Sequence, residues 1–156
     1  MKIQDFADMQ EFERIISNWA VAIGMAAVAI DDEGKYISKQ YNFMDFCKMM
    51  RGNQKGCARC EQCDREGTGV YRCHAGLTDF AVELTVNGEK VGSVLGGQAL
   101  SSQPDEEECK KYAAELGISE KEYMAAVHKV NVRSNEVIKA SVDTLRDVAN
   151  SFIRSE

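Results

Sequence analysis

The sequence predicts an α+β fold: an antiparallel sheet flanked by helices, with a long helix near the C-terminal end. Three observations carry this. Residues 3–19 and 134–153 repeat apolar side chains every three or four positions, as a helix burying one face does. Residues 25–30, 70–73, 80–86 and 89–95 instead carry continuous or alternating apolar runs, and the last two runs are joined by Asn87-Gly88, a strong hairpin signal. The one proline, Pro104, and the paired glycines mark where one kind of element gives way to the other. At 156 residues the chain is long enough for one domain with a sizeable core, so stability does not require disulfides.

In chain order, Phe6, Met9, Phe12, Ile15, Ile16 and Trp19 line one face of the first helix. Trp19 belongs to that core-facing stripe or, less simply, lines a ligand pocket. Met25–Ile30 reads as a strand buried on both faces; Asp31-Asp32-Glu33-Gly34 turns the chain, and Lys35–Ser38 resumes as a second strand. Residues 43–51 place Phe43, Phe46, Cys47 and Met50 on one side of a short helix that ends at Gly52-Asn53. A further helix spans about Ala58 to Glu66, stopped by Gly67 and Gly69. Strands follow from Val70, through the Asn87-Gly88 hairpin, to Gln98. Gly92, Gly96 and Gly97 mark bulges, a surface approached closely by a ligand, or close backbone packing. Helices then begin at Asp105 and at the Ser119-Glu120-Lys121-Glu122 capping box. The last helix, Ser134 to Ile153, carries Ile138, Ser141, Leu145, Val148 and Phe152 at heptad spacing, widened by Val142, Ala149 and Ile153. That stripe packs on its own domain or forms a homodimer. The core spans about 3–100 and the C-terminal helices about 105–156.

Five of the six cysteines fall between Cys47 and Cys73. Cys57, Cys60 and Cys63 are spaced two residues apart, and His74 follows Cys73 directly. Thiolates are soft ligands, so the density points to metal or redox chemistry, against the alternative of buried, inert thiols. A tetrahedral zinc site needs four such donors, and Cys47, Cys57, Cys60 and Cys73 are the expected set, with Cys63 or His74 as the alternative fourth. An iron–sulfur cluster uses the same thiolates. On a helix, Cys57 and Cys63 lie about 120° apart, so all three clustered cysteines share a site only if the helix begins after Cys57. Cys109 and His128 read as a structural thiol and an exposed helical histidine.

Composition excludes some functions. A net charge of −6 and the absence of clustered Lys and Arg argue against a nucleic-acid surface. No apolar run approaches a membrane span and no secretory leader is visible, so the expected setting is the cytoplasm, with reduced thiols. There is no phosphate-binding glycine loop and no Ser/His/Asp set, and the antiparallel reading disfavours a thiol oxidoreductase built on Cys57-x-x-Cys60. The chain is not expected to be an enzyme.

The element order is that of a PAS- or GAF-like module. Phe46-Cys47, Gly56–Asp64 with Cys60, Cys73-His74-Ala75-Gly76-Leu77-Thr78-Asp79-Phe80-Ala81 and Gly92-Ser93-Val94-Leu95-Gly96-Gly97-Gln98 together resemble the PocR-type sensory domain. The resemblance runs from about Phe6 to Gln98 and more loosely onward, and it covers Cys47, Cys60 and Cys73; Cys57 and Cys63 are additions to the pattern. It implies a PAS-like sheet that senses a small molecule, proposed in this family to be a short hydrocarbon derivative such as a diol. It also implies a downstream signalling partner, although neither a DNA-binding helix pair nor an enzymatic output is visible. In such a module Tyr41, Tyr71, His74 and Gln98 are the polar groups expected to meet the ligand, each beside apolar strand residues. Occupancy is expected to reach the C-terminal helix as a shift between two packings.

Overall fold

Backbone groups in the apolar runs need partners once buried, and the runs supply them to each other as a sheet. The computed structural model describes residues 2–155. Its four strands are β1 (Ala26–Asp31), β2 (Gly69–Arg72), β3 (Thr78–Val86) and β4 (Glu89–Ala99), antiparallel throughout in the order β1-β4-β3-β2. The helices are α1 (Met9–Ile23), α2 (Asp45–Arg51), α3 (Gln54–Glu66), α4 (Glu106–Leu116), α5 (Glu120–Val127) and α6 (Asn135–Ser155).

Alternation along β3 divides the protein. Phe80, Val82, Leu84 and Val86 point to one face, where they pack with Ala27 and Ala29 of β1, Phe12 and Ile16 of α1, and Ile138, Val142 and Leu145 of α6. The second buried cluster joins Phe46 and Met50 of α2, Leu77, and Tyr123 and Val127 of α5. The stripe on α6 is thus used inside the chain, and the heptad reading needs adjusting: Ile138, Val142, Leu145, Ala149 and Ile153 are buried, while Val148 is 44% exposed. Trp19 packs edge-on against Phe80 at 5.4 Å and donates from its ring nitrogen to the Ser141 carbonyl, so it is a core residue joining α1 to α6.

Three sequence expectations change. The first helix is interrupted: Ile3–Asp5 forms a 3-10 turn, and α1 starts only at Met9, where the Asp8 carboxylate accepts from the Gln10 and Glu11 N–H groups. Lys35–Ser38 is not a strand. It follows the free edge of β1 through single bridges, Ile30 to Tyr36 and Ala27 to Tyr41, and the Ser38 hydroxyl replaces a ladder acceptor by bonding the Ala29 N–H at 2.8 Å. Helix α3 begins four residues earlier than expected because Asn53 caps it, accepting from the Gly56 N–H at 2.9 Å.

The glycines of β4 pack against the backbone of neighbouring strands. A Cβ on Gly96 would lie 1.9 Å from the Ala26 carbonyl oxygen, and one on Gly97 would lie 2.5 Å from the Thr78 oxygen. Register slips between Thr78↔Ala99 and Asp79↔Gly97, which leaves Gln98 as the extra residue of a β-bulge with φ of 60°.

Candidate functional site

The site is built where the bulge, the β2–β3 turn and helices α2 and α3 meet. Cys73-His74-Ala75-Gly76-Leu77 is a tight turn: the Gly76 N–H bonds the Cys73 carbonyl at 3.0 Å and the Cys73 N–H bonds Leu77 at 2.8 Å. Gly76 sits at φ of 85°, a conformation that favours glycine. The turn delivers the His74 N–H to the Cys63 sulfur at 3.3 Å and its Nε2 to the Cys60 sulfur at 3.2 Å.

Both nitrogens of the His74 ring have partners. Arg59 Nη1 donates to the Tyr112 hydroxyl at 2.9 Å, and that hydroxyl makes a short contact with His74 Nδ1. In the neutral ring one nitrogen donates and the other accepts, so the Tyr112 and Cys60 contacts run in opposite senses. Burial lowers the imidazole pKa, and the nearby Arg59 and Arg51 charges lower it further, which keeps this neutral form. Both ring nitrogens are therefore engaged by protein groups.

Of the expected metal set, Cys47, Cys60 and Cys73 are brought to one small cavity of about 30 Å3, and Cys63 lies there with them. Cys57 does not. Because α3 already includes Cys57, its thiol is turned to the helix surface and lies 3.6 Å from Glu61. Burial pushes three of these thiols up: Cys60 to about 11, Cys73 to about 12, and Cys47 in the same direction. Neutral thiols need no countercharge in such a place. The donors are chemically suited to zinc, yet among the described residues no three His, Cys, Asp or Glu side chains converge as a ligand set.

Asp79, which the sequence reading passed over as a site residue, occupies the centre. It projects from β3 on the face opposite Phe80 and accepts from the Gln98 N–H at 3.0 Å. The bulge aims that N–H, and Gly97 lets β4 lie close against Asp79, since a Cβ there would stand 2.5 Å from the Asp79 Cα and 3.1 Å from its Oδ1. Burial raises the Asp79 carboxyl to about 7. Gln98 is held in turn, its side-chain oxygen accepting from the Met44 N–H at 2.7 Å. Arg51 and Asp64 pair across α2 and α3 at 2.8 Å. The signal for Asp79 was there: it is the charged residue at the start of an alternating strand, one position before a buried phenylalanine.

Arg51, Asp64, Asp79 and Gln98 also line a second hollow of about 30 Å3, walled by Tyr36, Phe43, Tyr71 and Leu95 over the sheet. Each hollow holds one or two waters, an order of magnitude below an ordinary ligand pocket. Tyr71, His74 and Gln98 of the expected ligand contacts thus surround this region. Tyr41 does not: it packs against the α1–α6 core, and its hydroxyl donates to Glu13 of α1 at 2.8 Å. A larger open groove, about 380 Å3, lies on the outer side of His74 between α4 and the 101–105 segment.

The class of protein is thereby set: an α+β module whose antiparallel sheet is covered by helices, with polar and sulfur groups gathered at one end. The chain belongs to the PocR sensory-domain family, described as the sensory domain found in PocR, which matches residues 5–156. It is 40% identical over 94 residues to the regulatory protein PocR of Salmonella typhimurium strain LT2, an alignment covering 54% of this chain and 31% of that protein. No solved structure matches it. Among the described residues, no helix is long and apolar enough to cross a membrane.

Proposed function

We propose that this chain is a non-enzymatic cytoplasmic sensor that takes up a small organic molecule between the sheet and helices α2 and α3. The observation behind this is the Asp79–Gln98 arrangement. A non-glycine residue is held in the left-handed region, in a bulge, and its N–H orients one half-buried carboxylate at the junction of two hollows. Strain of this kind costs about 1–3 kcal/mol and gathers at binding sites. Uptake requires the Arg51–Asp64 pair to part, which joins the hollows into a larger space. Tyr71 and Gln98 then face the ligand.

The route out is short. Two residues past Gln98, the Leu100 N–H bonds the Asn131 carbonyl at 2.9 Å and its carbonyl accepts from the Arg133 N–H at 2.8 Å. Asn131 and Arg133 also bond the carbonyls of Gly24 and Ile23 at the end of α1, at 2.9 and 3.0 Å. A ligand that moves the bulge therefore pulls on the entry to α6, and a downstream signalling protein reads the displacement. The test is a thermal-shift screen of short alcohols, diols, amines and acids, since a ligand selective for the native state raises Tm by mass action. A flat response across chemically diverse compounds removes this reading.

A second reading has its own observation: four thiols, Cys47, Cys60, Cys63 and Cys73, share one cavity. They would hold zinc as thiolates after modest side-chain rotation, with Cys63 in the place expected for Cys57 and the His74 Nε2–H as a hydrogen-bond donor to Cys60. Zinc would supply a fixed cross-link between α2, α3 and the β2–β3 turn. An iron–sulfur cluster or a reversible thiol switch is the alternative use of the same sulfurs. Elemental analysis of anaerobically purified protein decides among these. One zinc per chain, kept in Cys57→Ser and lost in Cys63→Ser, supports the zinc site; colour with absorbance near 400 nm selects the cluster; metal-free, colourless protein removes both.

A further inference from the structure

The charge balance of the two hollows is uneven. Their charged lining consists of Arg51, Asp64 and Asp79, one cation against two carboxylates. Arg51 is already spent on Asp64 at 2.8 Å. Asp79 makes no ion pair among the described residues, and its single hydrogen bond comes from the Gln98 N–H. The other carboxylate oxygen is left to whatever enters the space. A half-buried carboxylate with one neutral donor is costly to keep charged, and a partner of opposite charge relieves part of that cost.

The two hollows differ in what they offer a cation. The sulfur side presents thiols, which suit a soft metal ion. The sheet side presents Tyr36, Phe43 and Tyr71 beside Asp64 and Asp79. Aromatic rings combined with carboxylates are the chemistry that selects an organic ammonium, through the ring faces and a charge-assisted hydrogen bond. At about 30 Å3 this hollow has room for an ammonium head alone, and the attached carbons enter once the Arg51–Asp64 pair parts.

We propose that the sheet-side hollow binds a small aliphatic ammonium group, with Asp79 as its charged partner and Tyr36, Phe43 and Tyr71 as its walls. This rests on the sensory reading above and names the ligand class within it. A neutral hydroxyl compound of the same size leaves the carboxylate without its countercharge and binds more weakly.

The experiment compares size-matched probes on the full chain: ethylammonium against ethanol, and 2-aminoethanol as its cation against ethane-1,2-diol, with matched sodium chloride as the ionic control. At ten times the dissociation constant the ammonium compounds are expected to raise Tm by about 4 °C, with the neutral partners at least tenfold weaker. Asp79→Asn is expected to lose the ammonium response while far-UV circular dichroism stays unchanged. The wild-type comparison stands on its own should that variant fail to fold. Equal shifts from ammonium and hydroxyl probes overturn the proposal and leave the sensory reading in place. An ammonium response retained in folded Asp79→Asn overturns it as well. A Tm raised by zinc alone, silent to ammonium and lost in Asp79→Asn, assigns the missing charge to a metal and overturns it too. Silence from every organic probe removes the sensory reading along with it.

Discussion

The two faces of the sheet are built to opposite rules. On the α1–α6 face, Phe12, Ile16, Phe80, Val82, Leu84, Ile138 and Leu145 fill the space, and the few polar groups there hold neighbouring elements together. Asn150 is the clearest case: its amide accepts from the Thr85 N–H at 3.0 Å and donates to the Glu83 carbonyl at 3.1 Å, closing the β3 edge where β2 has ended. On the α2–α3 face, the strands present Asp79 and Gln98 beside Val28, Tyr71 and Leu95, and the covering helices bring sulfur and charge. Apolar packing gains stability from every contact. A half-buried carboxylate, an ion pair and neutral thiols gain little, and they leave small hollows between them. One face is filled by apolar side chains; the other keeps charge, thiols and two small hollows.

Mutations should separate the faces. Phe80→Ala, which empties a fully buried site under Trp19, is expected to cost about 3–5 kcal/mol in urea unfolding. A loss below about 1 kcal/mol would break the contrast, because the packed face would then not be the stabilising one. On the other face the sign reverses. Asp79 has a folded pKa of about 7, raised chiefly by burial, so its neutral form is favoured by folding. Its contribution is full below the unfolded value near 4 and is lost as pH rises through about 7. In metal-free protein Asp79→Asn, which cannot ionise, is therefore expected to match wild type at pH 4 and exceed it by roughly 2 kcal/mol at pH 8. Denaturant midpoints across that range check this, and a variant less stable at pH 8 would show that the carboxylate holds the fold together. The smallest effects distinguish neighbouring sulfurs. Cys57→Ser, on the helix surface, should stay within about 0.5 kcal/mol of wild type. Cys63→Ser, which alters the acceptor of the His74 N–H, should cost about 1 kcal/mol. Equal values would mean that the start of α3 does not sort the cysteines.

Much of this was readable in advance. The Asn87-Gly88 hairpin lies where expected, between β3 and β4, with φ of 51° and 80° at its two residues. Ser119 caps α5, and Gly117 ends α4 at φ of 73°. These depend on local conformational preferences, which a few residues settle among themselves. Cys47, Cys60 and Cys73, grouped through the family resemblance, line one small cavity where α2, α3 and the tight Cys73–Leu77 turn meet. Cys57 was misgrouped because a single cap at Asn53 shifts the helix start by one turn, and one turn decides which way a thiol faces. Tyr41 was misplaced for a related reason. An irregular edge segment has no period from which its face can be read.

Residue order alone determined most of the helices and strands, the main turn positions and the apolar stripes, because each follows from torsional preference and spacing within a dozen residues. Only the tertiary structure decided that α6 spends its stripe on its own sheet, that Gly97 makes room for Asp79, and that Arg51 is committed to Asp64. Those outcomes depend on distances between segments far apart in the chain, such as β3 and α6 joined through Thr85 and Asn150 or α1 and α6 joined through Trp19 and Ser141. Burial and charge compensation act through space, and only folding brings those groups together.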